Sequence, residues 1–168
     1  MGYHSWTVDG YGICVDDIET TPEKLLMLAS MNPEFLKDVR KYLDEYFDGQ
    51  GYMDETLTME VFDELEGDYC ERGVAYILYQ VIDEIAVEYA DDYNGTQYIL
   101  YTPTYPWNMD NRDKSLKQED VEAVFRKYVS VLTDKPIKIT YYSVENGGWY
   151  YEKYLQRVSW CSRQRKEI

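Results

Sequence analysis

The chain has 168 residues, of which 45% are hydrophobic, so length and composition suit a single folded domain over residues 1–168. It carries 32 acidic and 17 basic side chains, a net charge of −15. That charge argues against direct binding to duplex DNA or to an anionic membrane, since both require a cationic face. The chain start lacks the basic and apolar regions of a secretory signal, and three widely spaced cysteines form no disulfide framework. We therefore expect a cytoplasmic protein.

The first half of the chain predicts a strand followed by helices. Residues 3–15 are rich in aromatic and β-branched side chains, which favours one strand, or two short strands bent at Asp9-Gly10. Thr21 before Pro22 is typical of a helix N-cap; Thr20 with Glu23 would form a capping box instead. Apolar side chains at helical spacing predict four helices. The first covers residues 22–30, and the second runs from the N-cap pair Asn32-Pro33 to the glycines at 49–51. The third and fourth cover residues 55–66 and 71–90.

The second half predicts a strand, a helix and a hairpin. Residues 96–102 follow an Asn-Gly turn and form a strand, and residues 102–114 form a proline-containing loop. Ser115 is the predicted cap of a helix that runs to Leu132. The predicted hairpin covers residues 137–144, a turn at 145–148 and a return strand at 149–159, and a basic, frayed tail follows at 161–168.

This order of elements predicts an α+β fold. The expected sheet is small and mostly antiparallel, made of the N-terminal strand, the 96–102 strand and the C-terminal hairpin 137–159. Helices pack against it, and residues 33–90 form an acidic helical segment.

Charge is segregated along the chain. Residues 1–100 contain 23 acidic and 5 basic side chains, whereas residues 101–168 contain 9 and 12. Between residues 42 and 111 there are 17 acidic side chains and one basic side chain, Arg72. Such a tract is often a solvated face that serves solubility. Unpaired like charge nevertheless destabilises a fold by self-repulsion, and tyrosines lie among these acids, which favours a partner-binding surface.

Acidic side chains three or four residues apart on a helix lie ~5–6 Å apart, comparable to the spacing of phosphates along a nucleic-acid strand. The sequence predicts two such ladders, one of Glu60, Asp63 and Glu64 and one of Glu84 and Glu88. They are expected to bind a basic protein rather than DNA. The predicted partner-binding residues are Asp44, Glu45, Asp48, Asp54, Glu55, Glu60, Asp63, Glu64, Glu66, Asp68, Tyr69, Glu71, Tyr76, Asp83, Glu84 and Glu88.

Motifs for metal binding or catalysis are weak. The segment from Asp44 to Glu55 has several residues of a calcium loop, but Tyr46 occupies a ligand position and Gly51 an apolar one. His4 is the single histidine and lies in the predicted first strand. The thiols of Cys14 and Cys70 have acidic neighbours that oppose thiolate formation. We predict no catalytic residue, no metal and no cofactor.

The segment DGYGICVDDI, followed by QYILYTPTYPW and a helix ending FRKYVSVL, resembles small proteins of phage and mobile-element origin over most of the chain. In size, charge and general style the chain resembles acidic phage inhibitors of the anti-CRISPR or anti-restriction type. The resemblance implies a non-enzymatic inhibitor in the host cytoplasm. It would bind the basic nucleic-acid groove of a bacterial defence nuclease by steric and electrostatic competition.

Two other functions fit the same sequence. An immunity or adaptor protein would use the acidic surface to neutralise a basic toxin. A small metal-dependent hydrolase would use one of the aspartate pairs, Asp16-Asp17 or Asp91-Asp92.

Overall fold

The computed structural model of this protein describes residues 5–50, 57–68, 71–102 and 115–147. The fold is α+β, as the sequence predicts, with a four-stranded antiparallel sheet and helices packed on it. The strands are β1 (Ser5–Cys14), β2 (Val87–Asp91), β3 (Gln97–Tyr101) and β4 (Thr140–Gly147). The α-helices are α1 (Pro22–Ala29), α2 (Pro33–Tyr46), α3 (Met59–Asp63), α4 (Val74–Val81) and α5 (Gln118–Leu132).

The long strand β1 lies inside the sheet, whose order is β2-β3-β1-β4. Two glycines of β1 allow it to approach β3 closely. A Cβ atom on Gly10 would lie 2.6 Å from the carbonyl oxygen of Tyr101, and one on Gly12 would lie 2.1 Å from that of Ile99. No side chain fits at such distances, so the Gly10-Tyr11-Gly12 motif serves strand packing.

The two faces of the sheet belong to different apolar clusters. Ile13 and Ile99 are directly opposite each other and join the main core with the helices. Leu100, next along β3, points to the other face because side chains alternate along a strand. There it packs in a smaller cluster with Ala90 and Val144.

The N-caps of α1 and α2 follow the sequence prediction. The Thr21 hydroxyl accepts a hydrogen bond from the Lys24 backbone N–H at 3.4 Å, so Thr21 rather than Thr20 caps α1. The Asn32 side chain accepts from the Phe35 N–H at 3.3 Å and caps α2. Both satisfy an amide that the first turn of a helix leaves without an internal partner.

The predicted helix over residues 71–90 is wrong in its second half. Helix α4 ends at Val81, and residues 87–91 form strand β2, paired with β3. The side chains of Ile82, Ile85 and Tyr89 fit helical spacing, but Val87 and Tyr89 also fit the two-residue period of a strand. Pairing with β3 decides between the two patterns.

Helices α3 and α5 also differ from the prediction in their boundaries. Helix α3 covers only residues 59–63 of the predicted 55–66. Helix α5 begins at Gln118 instead of directly after Ser115, because the Asp120 carboxylate accepts a hydrogen bond from the Lys117 N–H at 2.9 Å. That bond closes the first turn at Lys117.

The predicted turn at 145–148 is also wrong for the residues that the structure describes. Strand β4 continues through Gly147, where it pairs with Ser5. Because β1 is one unbroken strand, its backbone groups extend the ladder through the Asn-Gly pair that favours a turn. The predicted return strand at 149–159 and the basic tail at 161–168 lie outside the described residues.

Candidate functional site

The hydroxyl of Tyr42 connects α2 to the segment around α3. It donates a 2.7 Å hydrogen bond to the backbone carbonyl oxygen of Val61. Burial raises the pKa of Tyr42, and the negative charges of Glu64 and Glu66 raise it further. Two acidic side chains that follow α3 therefore lie close to the Tyr42 side chain of α2.

A second tyrosine, Tyr76 on α4, has similar surroundings. Its ring packs edge-on against Phe35 of α2, with ring centroids 5.4 Å apart. Burial raises the pKa of Tyr76, and the negative charges of Glu71, Asp38 and Asp68 act in the same direction. Asp38 of α2 and Asp68 of the following turn thus share one neighbourhood with Tyr76.

These side chains together form what we call the acid–tyrosine surface. Along α2, residues 38, 42 and 46 are four apart and therefore lie on one helix face. Tyr46 is 41% exposed, and its ring centroid lies 6.1 Å from that of Tyr42. The surface consists of Asp38, Tyr42, Tyr46, Glu64, Glu66, Asp68 and Tyr76.

The two predicted acidic ladders have different outcomes. Glu60, Asp63 and Glu64 are exposed at or just after α3. Glu88 is exposed on strand β2, so it forms no helical ladder with Glu84, and that prediction is wrong. Three more predicted acids, Asp44, Glu45 and Asp48, are exposed at the end of α2.

Glu71 is a correction to the predicted partner-binding set. Its side chain is completely buried, with 0% exposure, so a partner cannot touch it in this conformation. Gly67 makes this possible, because a Cβ atom there would lie 1.9 Å from the Glu71 Oε1 atom. The Gly67 N–H also donates to the Glu71 carbonyl oxygen at 2.8 Å.

Glu84 lies beside α5 and has basic and hydroxyl partners there. Lys127 Nζ lies 2.5 Å from Glu84 Oε1, and the buried Tyr128 donates its hydroxyl to Glu84 Oε2 at 2.5 Å. Burial of Glu84 raises its pKa, but the bonds from Lys127 and Tyr128 outweigh burial and hold the pKa below its ordinary value. Asp83, which is exposed, lies 3.5 Å from the same tyrosine hydroxyl.

The aspartate pairs of the hydrolase hypothesis make backbone contacts. Asp92 Oδ1 accepts hydrogen bonds from the N–H groups of Asn94 and Thr96 at 2.8 and 3.0 Å, and Oδ2 accepts from the Tyr98 hydroxyl at 3.2 Å. Asp92 thus holds the turn between β2 and β3. Asp16 Oδ1 accepts from the Gln97 N–H at 3.2 Å.

The remaining residues that the sequence suggested for catalysis or metal binding are either buried or outside the described ranges. Cys14 is buried, and burial and the nearby Asp17 raise its pKa, which lowers its nucleophilicity. Within the described ranges, no three His, Cys, Asp or Glu side chains lie close enough together to hold a metal ion. The residues outside the described ranges include His4, Asp54, Glu55, Tyr69, Cys70 and the second half of the proposed calcium loop.

A cleft of about 430 Å³ opens next to the acid–tyrosine surface. It lies between the 3-10 turn Val15–Asp17, α3, the start of α4 and the start of β3. The lining residues are Val15, Asp16, Ile18, Met59, Asp63, Arg72, Val74 and Gln97. Arg72 links the two features, because its Nε atom lies 4.0 Å from Glu66 Oε1.

Comparison with protein-family models, curated proteins and solved structures gave no match for this chain. Among the described helices, none combines the length and the apolar character needed to cross a membrane.

Sequence reasoning missed three residues of the acid–tyrosine surface, Asp38, Tyr42 and Tyr46. Asp38 precedes the tract in which bases are nearly absent, and Lys37 and Arg40 are close to it in sequence. The spacing of four residues from Asp38 to Tyr42, and again from Tyr42 to Tyr46, was the available signal, since it places all three on one face of α2.

Proposed function

We propose that this protein is a non-enzymatic inhibitor that binds the basic nucleic-acid groove of another protein through its acid–tyrosine surface. The partner class that best suits it is a bacterial defence nuclease, as in anti-CRISPR or anti-restriction inhibition. The observation that carries the proposal is the convergence of acids from α2 and from the turn after α3 around Tyr42 and Tyr76.

The electrostatics support binding to a cationic groove. Asp38 and Glu64 are exposed, and neither has an ion-pair partner in the part of the chain that the structure describes. Lysine and arginine side chains of a groove would neutralise these carboxylates and relieve their mutual repulsion. Charge pairs of this kind accelerate association and weaken as salt increases.

The aromatic part of the surface supports a specific contact rather than a diffuse attraction. Tyr42 and Tyr76 are half-buried, and their rings pack against Tyr46 and Phe35, which holds them in place. Rigid tyrosine side chains add contact area at a low entropy cost and are enriched at protein interfaces.

A nuclease-inhibition assay tests the proposal. The native protein is added to a panel of RNA-guided and restriction nucleases, and binding of target DNA and its cleavage are measured at two salt concentrations. We expect inhibition of at least one nuclease, weaker at high salt, and its loss in the double variant Asp38→Lys/Glu64→Lys.

The matched control is Asp134→Lys/Glu145→Lys. These two carboxylates are also exposed, and the net charge changes by the same amount, but they lie after α5 and on β4. Full inhibition by this control is expected. Equal loss of inhibition in both double variants would mean that net charge alone is responsible and would contradict the proposed surface.

A further inference from the structure

Four apolar and two acidic side chains are among the residues that line the cleft beside the acid–tyrosine surface. Of the apolar ones, Val15 and Ile18 are buried, and Met59 and Val74 are half-buried. Its volume of about 430 Å³ lies within the range of ~300–1,000 Å³ that is usual for small-ligand sites. These apolar side chains can contact the methylene stem of a long side chain.

The polar groups of the cleft favour a cationic group over an anion. Asp16 and Asp63 both line it, and neither has a basic partner among the described residues. Among the described residues that line the cleft, Arg72 is the single base, and its Nε atom lies 4.0 Å from the Oε1 atom of Glu66, which is not a lining residue. The two carboxylates therefore dominate the local charge, which repels an anion and attracts a cation.

The surrounding backbone holds this arrangement in place. The Gln97 side-chain oxygen accepts hydrogen bonds from the Arg72 N–H and the Tyr89 hydroxyl, each at 3.1 Å. The Gln97 N–H in turn donates to Asp16 Oδ1 at 3.2 Å. These bonds join the start of α4, strand β3 and the 3-10 turn, so the cleft is formed before any ligand enters.

We propose that this cleft receives one arginine side chain of the basic partner, with Asp16 and Asp63 bound to the guanidinium group. This inference rests on the proposed function and adds the anchoring residue type. A planar guanidinium presents five N–H donors, more than the ammonium of lysine, and can bond two carboxylates at once. Buried arginine anchors commonly supply much of the affinity of a protein interface.

The test uses Nα-acetyl-arginine methylamide as a probe, with Nα-acetyl-citrulline methylamide as its neutral analogue of the same shape. Binding is followed by NMR titration of the full chain. We expect the arginine probe to shift the methyl signals of Val74 and Met59 and the side-chain amide of Gln97, and to bind at least about tenfold more tightly than citrulline. Equal affinity for the two probes, or shifts confined to other regions, would overturn the inference.

Two variants assign the site. Asp63→Asn removes a charge without changing shape and should weaken arginine binding about five- to tenfold. Glu60→Gln, on the same helix but outside the cleft, should leave it unchanged. Unaltered binding by Asp63→Asn, or the same loss in both, would contradict the cleft as the site.

The same preparations separate this inference from the proposed function. Asp38→Lys/Glu64→Lys should lose nuclease inhibition while it still binds the arginine probe. If the native chain inhibits a nuclease but does not bind the probe, the arginine cleft is wrong and the proposed function stands. If it binds the probe but inhibits no nuclease of the panel, the proposed function fails and the cleft has no partner of that class.

Discussion

The hydroxyl of Tyr42 on α2 lies 2.7 Å from the backbone carbonyl oxygen of Val61 on α3, to which it donates a hydrogen bond. The two residues are 19 positions apart, with residues 51–56 between them outside the described ranges. Their bond fixes the distance between the acids of α2 and those that follow α3. The acid–tyrosine surface depends on this contact for its shape.

Replacement of Tyr42 by Phe should therefore destabilise the protein by about 1 kcal/mol, because the ring is kept and one half-buried hydrogen bond is lost. Urea unfolding followed by circular dichroism measures the difference. Tyr46→Phe is the control, since the structure shows ring contacts for Tyr46 but no hydrogen bond from its hydroxyl to another described residue. An equal effect of both changes would contradict a specific role for the Tyr42–Val61 bond.

Gly12→Ala should destabilise the fold severely, by about 3 kcal/mol or more, because the added Cβ would lie 2.1 Å from the Ile99 carbonyl oxygen. Both atoms belong to paired strands, which cannot separate without loss of ladder hydrogen bonds. Thermal unfolding and the soluble yield of the variant provide the measurement.

Gly49→Ala is the matched comparison, because it has open space around it but a φ of +71°. The cost there is backbone strain alone, about 1 kcal/mol. A variant at Gly12 that is as stable as the one at Gly49 would contradict the close approach of β1 and β3.

The Lys127–Glu84 contact should make stability depend on pH. Burial opposes the charged form of Glu84, but bonds from Lys127 and Tyr128 lower its pKa in the folded state. A carboxylate with a lowered folded pKa stabilises the fold above its unfolded pKa, and this contribution is lost as the pH falls through the folded value. Lys127→Met should thus cost about 0.5–1 kcal/mol at pH 7 and progressively less below pH ~4.5.

Urea unfolding at pH 7 and at pH 3.5, with an NMR titration of the Glu84 carboxyl group, measures this effect. The control is Arg126→Met, which removes an exposed i,i+4 pair with Glu122 at 2.8 Å and should cost less than about 0.5 kcal/mol. A cost of Lys127→Met that persists at low pH would show that packing of the lysine stem, rather than the ion pair, is responsible.

Asp92 provides a test of the aspartate pairs. Asp92→Ala should destabilise the protein by about 1–2 kcal/mol, because the N–H groups of Asn94 and Thr96 lose their acceptor. Asp92→Asn keeps an acceptor oxygen and should be nearly as stable as the native protein. Thermal unfolding with and without magnesium or manganese distinguishes this role from metal binding. A stabilisation by metal that Asp92→Asn abolishes would favour the hydrolase hypothesis.

The fold class and the starts of α1 and α2 follow from the sequence alone. Caps such as Thr21 and Asn32 act within three residues of themselves, and the apolar side chains of α2 and α5 repeat at helical spacing, so both signals are local. The strand β1 and the strand β3 were likewise evident from their β-branched and aromatic residues.

The tertiary structure decided where local signals conflicted or were silent. Residues 87–91 fit both the helical and the strand period, and pairing with β3 selected the strand. Pairing with β1 extends β4 through Gly147. The sequence also gave no indication that Lys127 would neutralise Glu84, 43 residues away, or that Glu71 would be buried under Gly67. Charge along a chain is additive, but which charges remain exposed and unpaired depends on contacts between distant segments, and only the folded structure determines those.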